Sequence, residues 1–258
     1  KQLQENSGGL SADNSGAENH TTIFTIDESP LNPDIIWVGT DDGNIQLSIN
    51  GGKKWKNVTP RNKSLPKNTW VYHIEASSHN PAIAYAVFDG HASGDMTPYA
   101  YKTIDYGKTW ESIIKNNDVV GFVRNIQEDH VNPNLLFLGT ELGLYITVDG
   151  GGKWTRFNNN MPPVAVHFID LQKRTNDLVL GTHGRGVIII DDISPLRDVN
   201  LNSLKKKLHF FKSKKTVMRD RTNFVGSFGG ETRFVGESSS SSAKIKYLLP
   251  KRHTFGKM

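Results

Sequence analysis

The sequence has no cysteine, so neither disulfide bonds nor thiolate chemistry contributes to this protein. It also has no apolar run of about 18 residues, the length at which a membrane-spanning helix becomes a candidate. Helical periodicity is nearly absent, apart from a short basic stretch at Ser203–Leu208. With 24 glycines and 11 prolines among 258 residues, the composition favours a turn-rich, all-β protein.

The most informative pattern is an eight-residue motif, Ser/Thr-x-Asp/Asn-x-Gly-x-x-Trp, which occurs three times. The Ser/Thr hydroxyl and the Asp or Asn side chain can hydrogen-bond the backbone of a turn, and the glycine supplies its positive φ. The tryptophan packs back on its strand. These structural positions are Ser48, Asn50, Gly52 and Trp55, then Thr103, Asp105, Gly107 and Trp110, and finally Thr147, Asp149, Gly151 and Trp154. Three copies about 50 residues apart predict a repeat architecture.

Other sequence features recur with the same period as the motif. An apolar-x-x-Ile strand begins at Ile23, Val71, Val123 and Val166, which adds a fourth repeat. Asn-Pro turns follow at 32–33, 80–81 and 132–133, and later strands end on Gly-Thr. Each repeat therefore predicts one four-stranded antiparallel blade of a β-propeller. The predicted blades cover residues 20–66, 67–118, 119–162 and 163–195.

Residues 20–195 resemble the BNR/Asp-box propellers of the sortilin-like and xyloglucanase-like superfamily. They are especially similar to the large secreted or cell-surface proteins of Bacteroidetes-type bacteria that are called glycosyl hydrolases. The resemblance rests on the three motifs, the Gly-Thr strand ends and the phrase at residues 177–197, DLVLGTHGRGVIIIDDISPLR. It implies an extracytoplasmic propeller of six or more blades but no single activity, because this scaffold hosts hydrolases, lectin-like binders and peptide receptors. A secreted or cell-surface location follows from the resemblance alone.

Four repeats are few for such a propeller, and residues 1–19 have the composition of a polar loop from a preceding blade. We therefore expect a piece of a longer protein that holds the last blades of a ring, with upstream blades of the same protein as partners. A complete four-bladed ring is the alternative. The fourth repeat lacks the motif and a fourth strand, so we expect the outer edge of residues 186–191 to pair outside this sequence or to stand unpaired.

Charge is distributed unevenly along the chain. From Leu201 onward there are 14 Lys and Arg against 3 Asp and Glu. We interpret residues 196–215 as a basic connector and residues 216–258 as an incomplete β-sandwich-like domain. Aromatic residues are not interleaved with these cations as a nucleic-acid surface requires, so no nucleic-acid partner is expected.

Strand parity predicts which turns share one end of the blades, because consecutive turns of an antiparallel meander alternate between the two ends. The turns after the second strands and the connections between blades form the rim where ligands bind. Candidate ligand-binding residues there are Asp42, His91, His183, Arg185 and Trp70. No cofactor is expected, and no metal either, since the His183 loop has no second histidine at ligand spacing.

Glycoside hydrolysis is the sharpest catalytic hypothesis. Xyloglucanases of this type carry a catalytic Asp directly after a strand-ending Thr, and the segment at residues 40–43, Thr-Asp-Asp-Gly, resembles that context. Such hydrolysis needs two carboxylates about 5–5.5 Å apart for retention or ~6.5–9.5 Å for inversion. The catalytic candidates are Asp41 with Glu141 or Asp95. Ordinary turn chemistry is the competing interpretation of the same residues.

The sequence thus favours a propeller that binds a polar extracellular ligand on its rim, a glycan ahead of a peptide. A glycoside hydrolase that uses paired rim carboxylates is the first alternative, so the question of catalysis stays open. A structural or assembly component of a surface protein complex is the second.

Overall fold

The computed structural model describes residues 21–61, 63–115, 117–213, 216 and 242–249. The chain divides into two compact units, the first ending at Arg197 and the second beginning at Asp198. The predicted polar loop at residues 1–19 lies outside the described residues, as does most of the predicted second β-domain at 216–258.

The first unit contains three four-stranded antiparallel sheets and one three-stranded sheet, each with its strands in sequence order. Blade 1 contains β1 (Ile23–Glu28), β2 (Ile36–Thr40), β3 (Ile45–Ser48) and β4 (Lys56–Asn57). Blade 2 contains β5 (Trp70–Ala76), β6 (Ala84–Asp89), β7 (Tyr99–Thr103) and β8 (Glu111–Ser112). Blade 3 contains β9 (Val123–Glu128), β10 (Leu136–Thr140), β11 (Gly143–Thr147) and β12 (Thr155–Phe157). Blade 4 contains β13 (Val166–Gln172), β14 (Asp177–Thr182) and β15 (Val187–Ile190).

The turn between the first and second strands has the same construction in the first three blades. The side chain of Asn32 accepts a hydrogen bond from the backbone N–H of Asp34 at 3.0 Å. Asn80 and Asn132 accept the corresponding bonds at 2.9 and 3.0 Å. An Asn side chain that accepts a hydrogen bond two residues ahead fixes a tight turn, and the proline after it sets φ. We call the end of the blades that carries these turns the lower end and the opposite end the upper rim.

Each of the three tryptophan motifs closes the turn between the third and fourth strands through one hydrogen-bond network. In the third copy, the Thr147 hydroxyl donates to Asp149 at 2.6 Å and accepts from the Gly151 N–H at 3.1 Å, while Asp149 also accepts from Lys153. Equivalent bonds occur in the other two copies. The glycine has φ of 81°, 72° and 98° in the three copies, values that glycine adopts without strain.

The motif tryptophans join successive blades. Trp110 donates through Nε1 to the Val58 carbonyl at 2.7 Å, and Trp154 donates to the Ile113 carbonyl at 2.8 Å. Val58 and Ile113 occupy the same place, immediately after the last strand of the preceding blade. Trp154 is only 2% exposed, whereas Trp55, the equivalent residue of blade 1, is 46% exposed. A tryptophan in this position is buried only where a preceding blade covers it.

The apolar cores lie between blades. Val71, Val123 and Val166 lie at or next to the start of the first strands of blades 2, 3 and 4, and they are completely buried against the preceding blade. A Cβ atom on Gly139 would lie 2.6 Å from the Val166 carbonyl oxygen, and one on Gly39 would lie equally close to Val71. Glycine before the strand-ending threonine therefore lets the next blade approach.

The first strands lie side by side, β1 next to β5, β5 next to β9 and β9 next to β13, as the inner strands of adjacent propeller blades do. The predicted fold class, an all-β propeller of antiparallel blades, is confirmed. Side chains of one inner strand supply acceptors to the free backbone edge of the next: Ala76 N–H donates to Asp27 at 2.6 Å and Glu128 N–H donates to Glu75 at 3.4 Å. Burial raises the pKa of Asp27 to about 6 and raises that of Glu75 well above its usual value.

The two ends of this row of blades expose apolar side chains. Ile23 and Ile26 of β1 are 67% and 65% exposed, although their counterparts in later blades are buried. On blade 4, Val187 and Ile189 are 65% and 59% exposed, whereas the equivalent positions of β11 are buried. Among the described residues β15 pairs only with β14, and the residues at 2–10 that would test a closed four-bladed ring lie outside them.

A short helix, α1 (Ser194–Arg197), follows β15 where the sequence predicted the chain to leave the blades. The Arg197 guanidinium donates two hydrogen bonds of 2.8 Å to the buried Asp129 of blade 3 and one of 2.7 Å to Asn176 of blade 4. Ile193, just before the helix, is buried in the core of blade 4. The first residues of the predicted basic connector thus belong to the first unit.

The second unit contains a helix, α2 (Leu201–Lys205), and a two-stranded antiparallel pair, β16 (His209–Phe210) with β17 (Tyr247–Leu248). The helix begins earlier than the predicted helical stretch at Ser203–Leu208. The side chain of Asn200 accepts from the N–H groups of Asn202 and Ser203 and so caps the helix at that point.

Because the motif tryptophans differ in burial, we expect their replacement by alanine to lower the free energy of unfolding by different amounts. We expect Trp154→Ala to lower the free energy of unfolding by about 3–5 kcal/mol, since it removes a buried aromatic ring and its hydrogen bond. Trp55→Ala, at the equivalent exposed position, serves as the matched control and is expected to cost less than about 1 kcal/mol. Urea unfolding followed by circular dichroism measures both, and equal costs would contradict the prediction.

The raised pKa of Asp27 predicts that the stability of the protein depends on pH. Its pKa in the folded protein is raised from 3.8 to about 6, so its contribution to stability is fully present below pH 3.8 and is lost as the pH rises through 6. We therefore expect Asp27→Asn to become more stable relative to the unmodified protein by about 2–3 kcal/mol between pH 4 and pH 7. Asp34→Asn, at an exposed position in the β1–β2 turn of the same blade, is the control; denaturation curves that show no such difference between the two variants would refute the assignment.

Candidate functional site on the upper rim

Four positions on the upper rim are equivalent, because each directly follows or ends the second strand of a blade. They are Asp41, Asp89, Glu141 and His183. The N–H groups of Asp41, Glu141 and His183 donate to the carbonyl oxygens of the residues just before the first strands, at 3.2, 3.2 and 3.0 Å. The three predicted residues of this set therefore lie at one end of the blades, opposite the Asn-Pro turns.

Asp41, the first catalytic candidate, is buried and engaged with its own blade. Its carboxylate accepts hydrogen bonds from the N–H groups of Thr21 and Thr22 at 2.8 Å each and from the Thr22 hydroxyl at 3.0 Å. These bonds hold the entry of β1 against the end of β2. In this arrangement the carboxylate serves to fix the backbone of the rim.

The other carboxylate candidates occupy different surroundings. Glu141 is exposed on the rim of blade 3. Asp95 lies in the long β6–β7 turn, where it accepts from the Thr97 N–H at 3.0 Å and the Tyr99 hydroxyl at 2.8 Å, and hydrogen bonding by Thr97 and Tyr99 lowers its pKa. Asp42 accepts a short hydrogen bond from the Thr40 hydroxyl.

The best-connected polar group on the rim is the Asp89 carboxylate, which is buried. Arg124 Nη1 lies 2.7 Å from one of its oxygens, and His91 Nδ1 lies 2.8 Å from both. The Arg124 guanidinium also lies over the rings of Tyr72 and Phe122, 4.5 and 4.7 Å from their centres. This cluster ties blade 2 to blade 3. His91 is one of the predicted ligand-binding residues, whereas Asp89 and Arg124 are not among them; the equivalence of Asp89 to Asp41 was the available signal.

Aromatic side chains extend this cluster toward blade 1. The Phe24 ring lies 5.5 Å from that of Trp70 and 5.1 Å from that of Tyr72, centre to centre. Phe24 is 45% exposed, and Trp70 and Tyr72 are partly exposed. We call these three residues the aromatic platform. Of the three, only Trp70 is a predicted ligand-binding residue.

On the blade 4 side, the imidazole rings of His167 and His183 stack with their centres 5.2 Å apart. Burial lowers the pKa of His167, and the positive charge of Arg124 lowers it further. Arg185, the remaining predicted rim residue, is exposed in a turn between Gly184 and Gly186, both of which have positive φ. His167 carried no sequence signal of its own, because it lies inside a strand.

A cavity of about 690 Å³ opens on the same rim between blades 1 and 2. Asp42 and residues from the connection at 59–69 line it, and Thr69 directly precedes Trp70 of the aromatic platform. Among the described residues, no group of three or more His, Asp or Glu side chains is placed to hold a metal ion. None of the helices within the described ranges is long and apolar enough to cross a membrane.

No protein-family model matches the sequence, and no curated protein matches it significantly. Solved structures match its fold. A GH74 xyloglucanase from Xanthomonas campestris superposes with a TM-score of 0.54 and 12% identity, over 75% of this chain and 32% of that one. The extracellular domain of BT4673 from B. thetaiotaomicron superposes with a TM-score of 0.50 and 18% identity, over 70% of this chain and 22% of that one.

A third match is YCF48 from Cyanidioschyzon merolae, with a TM-score of 0.50 and 17% identity, over 66% of this chain and 53% of that one. The present chain therefore spans at most about half the length of these matched chains. At such identities the likeness establishes the propeller-type fold and leaves the function to the site itself.

The Asp89–Arg124 pair predicts a large effect of a near-isosteric change. Asp89→Asn leaves a guanidinium whose side chain is 11% exposed without its charged partner, so we expect a loss of about 3 kcal/mol in the free energy of unfolding. Asp95→Asn removes the same charge from an exposed turn on the same blade and is expected to cost less than about 1 kcal/mol. Urea midpoints that shift equally in the two variants would contradict the cross-blade role of Asp89.

Proposed function

We propose that this chain is part of an extracellular or cell-surface propeller that binds a polar ligand, a glycan, on its upper rim. The observation that carries the proposal is the aromatic platform, three partly exposed rings from the inner strands of two adjacent blades. The negative face of an aromatic ring attracts the C–H groups of a sugar ring, and such a platform beside polar groups is the usual composition of a saccharide-sized site.

The surroundings of the platform favour a ligand rich in hydroxyl groups. Tyr72 joins the platform to the Arg124 and Asp89 cluster, and the exposed Glu141 of blade 3 and His183 and Arg185 of blade 4 lie on the same rim. The rim therefore offers both donors and acceptors in addition to the apolar platform. A peptide could use the same groups, but the platform presents ring faces, which favours a glycan.

Support for a glycan-related and extracellular role also comes from the neighbours in fold, which include a xyloglucanase and an extracellular domain. Upstream blades of the same protein are the partners we propose for the exposed side chains of Ile23 and Ile26, since the equivalent side chains of blades 2 to 4 are covered by a preceding blade.

Glycoside hydrolysis is the second candidate. Asp41 and Glu141 occupy equivalent positions on blades 1 and 3, so both lie on the rim, where such hydrolysis would need two carboxylates. The three hydrogen bonds that Asp41 accepts from Thr21 and Thr22 weigh against it, because a nucleophile or base needs a free oxygen. Binding without turnover is therefore the proposal that the geometry favours.

Titration calorimetry with a series of neutral oligosaccharides tests this function. We expect Trp70→Ala to weaken binding at least tenfold, since aromatic anchors at a binding surface contribute more than about 1 kcal/mol. Trp55→Ala removes a partly exposed tryptophan from the lower end of blade 1 and should leave affinity unchanged. A Trp70→Ala variant that remains folded and binds as tightly as the unmodified protein would overturn the proposal.

An assay for new reducing ends in the same mixtures of protein and oligosaccharide decides between binding and hydrolysis. If no new reducing ends appear over days, the binding function stands. Turnover that is abolished by both Asp41→Asn and Glu141→Gln, with binding retained, would establish the hydrolase instead.

A further inference from the structure

The cavity between blades 1 and 2 has a charge pattern that the aromatic platform lacks. One wall is the β2–β3 turn at residues 42–44, and the other is formed by the connection at residues 59–61 and 63–69. The connection places Arg61, Lys63 and Lys67 at the cavity, and all three side chains are exposed. Within the described part of the chain none of the three pairs with a carboxylate.

Three unpaired cations around one cavity repel each other, and an anion that enters the cavity relieves this repulsion. By contrast, Lys115 of the next blade connection is neutralised by Glu111 at 2.6 Å. The positive cavity is therefore a property of one loop and does not recur with the repeat.

The opposite wall carries a negative charge. Asp42 accepts from the Thr40 hydroxyl, and the neighbouring Asn44 accepts from the Asn57 side chain at 2.9 Å, so both side chains are held in place. Asp42 is suited to accept hydrogen bonds from ligand hydroxyl groups and repels a densely charged anion. A ligand with a single negative charge at one end and hydroxyl groups at the other fits both walls.

The rest of the cavity suits a compact, partly apolar ring. Leu65 and Pro66 supply apolar surface, and the volume of about 690 Å³ falls within the range of about 300–1,000 Å³ usual for small-ligand sites. The Ile45 N–H of β3 donates to the Thr59 hydroxyl at 2.8 Å and fixes the start of the loop, and within the loop the Thr69 hydroxyl donates to the Pro66 carbonyl at 2.9 Å.

We propose that this cavity binds the carboxylate of a uronic acid unit, so that the ligand of the rim is an acidic glycan. This inference rests on the proposed glycan-binding function and adds the class of sugar. Guanidinium and ammonium groups pair well with carboxylates, and Asp42 receives the hydroxyl groups of the same sugar. Because Thr69 of the cavity precedes Trp70 directly, the glycan continues from the cavity onto the aromatic platform.

The test compares three oligosaccharides of equal length by calorimetry with the full chain: a galacturonate oligomer, a neutral cello-oligosaccharide and a sulfated oligosaccharide. We expect the galacturonate oligomer to bind at least tenfold more tightly than the neutral one at about 20 mM salt. Raising the salt to about 500 mM should remove most of this advantage, because exposed charges are screened. Tighter binding of the sulfated compound would overturn the assignment to a carboxylate.

A matched pair of variants locates the effect. Lys63→Ala combined with Lys67→Ala should weaken galacturonate binding about tenfold and leave the neutral sugar unaffected. Lys53→Ala combined with Lys54→Ala removes the same charge from exposed positions of the first tryptophan motif and should change neither.

Equal effects of the two double variants on galacturonate would overturn the cavity assignment, as would equal affinity of the unmodified protein for acidic and neutral sugars. In both outcomes neutral binding that depends on Trp70 still supports the proposed function. If no saccharide of any class binds, the proposed function and this inference fail together.

Discussion

The structure depends on one constraint: every sheet of the first unit has apolar faces that only an adjacent blade can cover. Val71, Val123 and Val166 are completely buried because a preceding blade packs on them, and Ile23 is exposed where no preceding blade exists among the described residues. The close approach of adjacent blades in turn requires glycine, which has no side chain, at Gly39 and Gly139. Burial of apolar area is the main favourable term in folding. The packing of one blade on the next therefore sets the distance between blades and the length of the sequence repeat.

Bringing inner strands together leaves one backbone edge of each without a strand partner, and buried N–H groups need acceptors. Side chains of the preceding blade supply them, as Asp27 does for Ala76 and Glu75 does for Glu128. These carboxylates are thereby desolvated, which is why their pKa values rise. Strongly shifted acids in this protein therefore mark the contacts between blades, and a search for catalytic groups by pKa alone would select them first.

The upper rim divides its polar residues between two roles. Asp41 and Asp89 are buried and hold backbone N–H groups or the Arg124 guanidinium, so they stabilise the rim. The residues free to meet a ligand include the partly exposed platform, the loop of the first blade connection and the exposed Glu141, His183 and Arg185. That division is consistent with loops that carry function on a rigid scaffold.

The sequence by itself determined the blades, their strand order and the end on which each turn lies. Those features depend on contacts within a few residues, such as the hydrogen bonds of Thr147 or Asn132, and on the two-residue period of a strand, so they can be read locally. The pairing of Asp89 with Arg124, the clamp of Arg197 on Asp129 and the cavity beside Asp42 were decided only by the tertiary structure. Each joins residues of different blades or loops, and whether such side chains meet depends on how the blades pack, which no local pattern encodes.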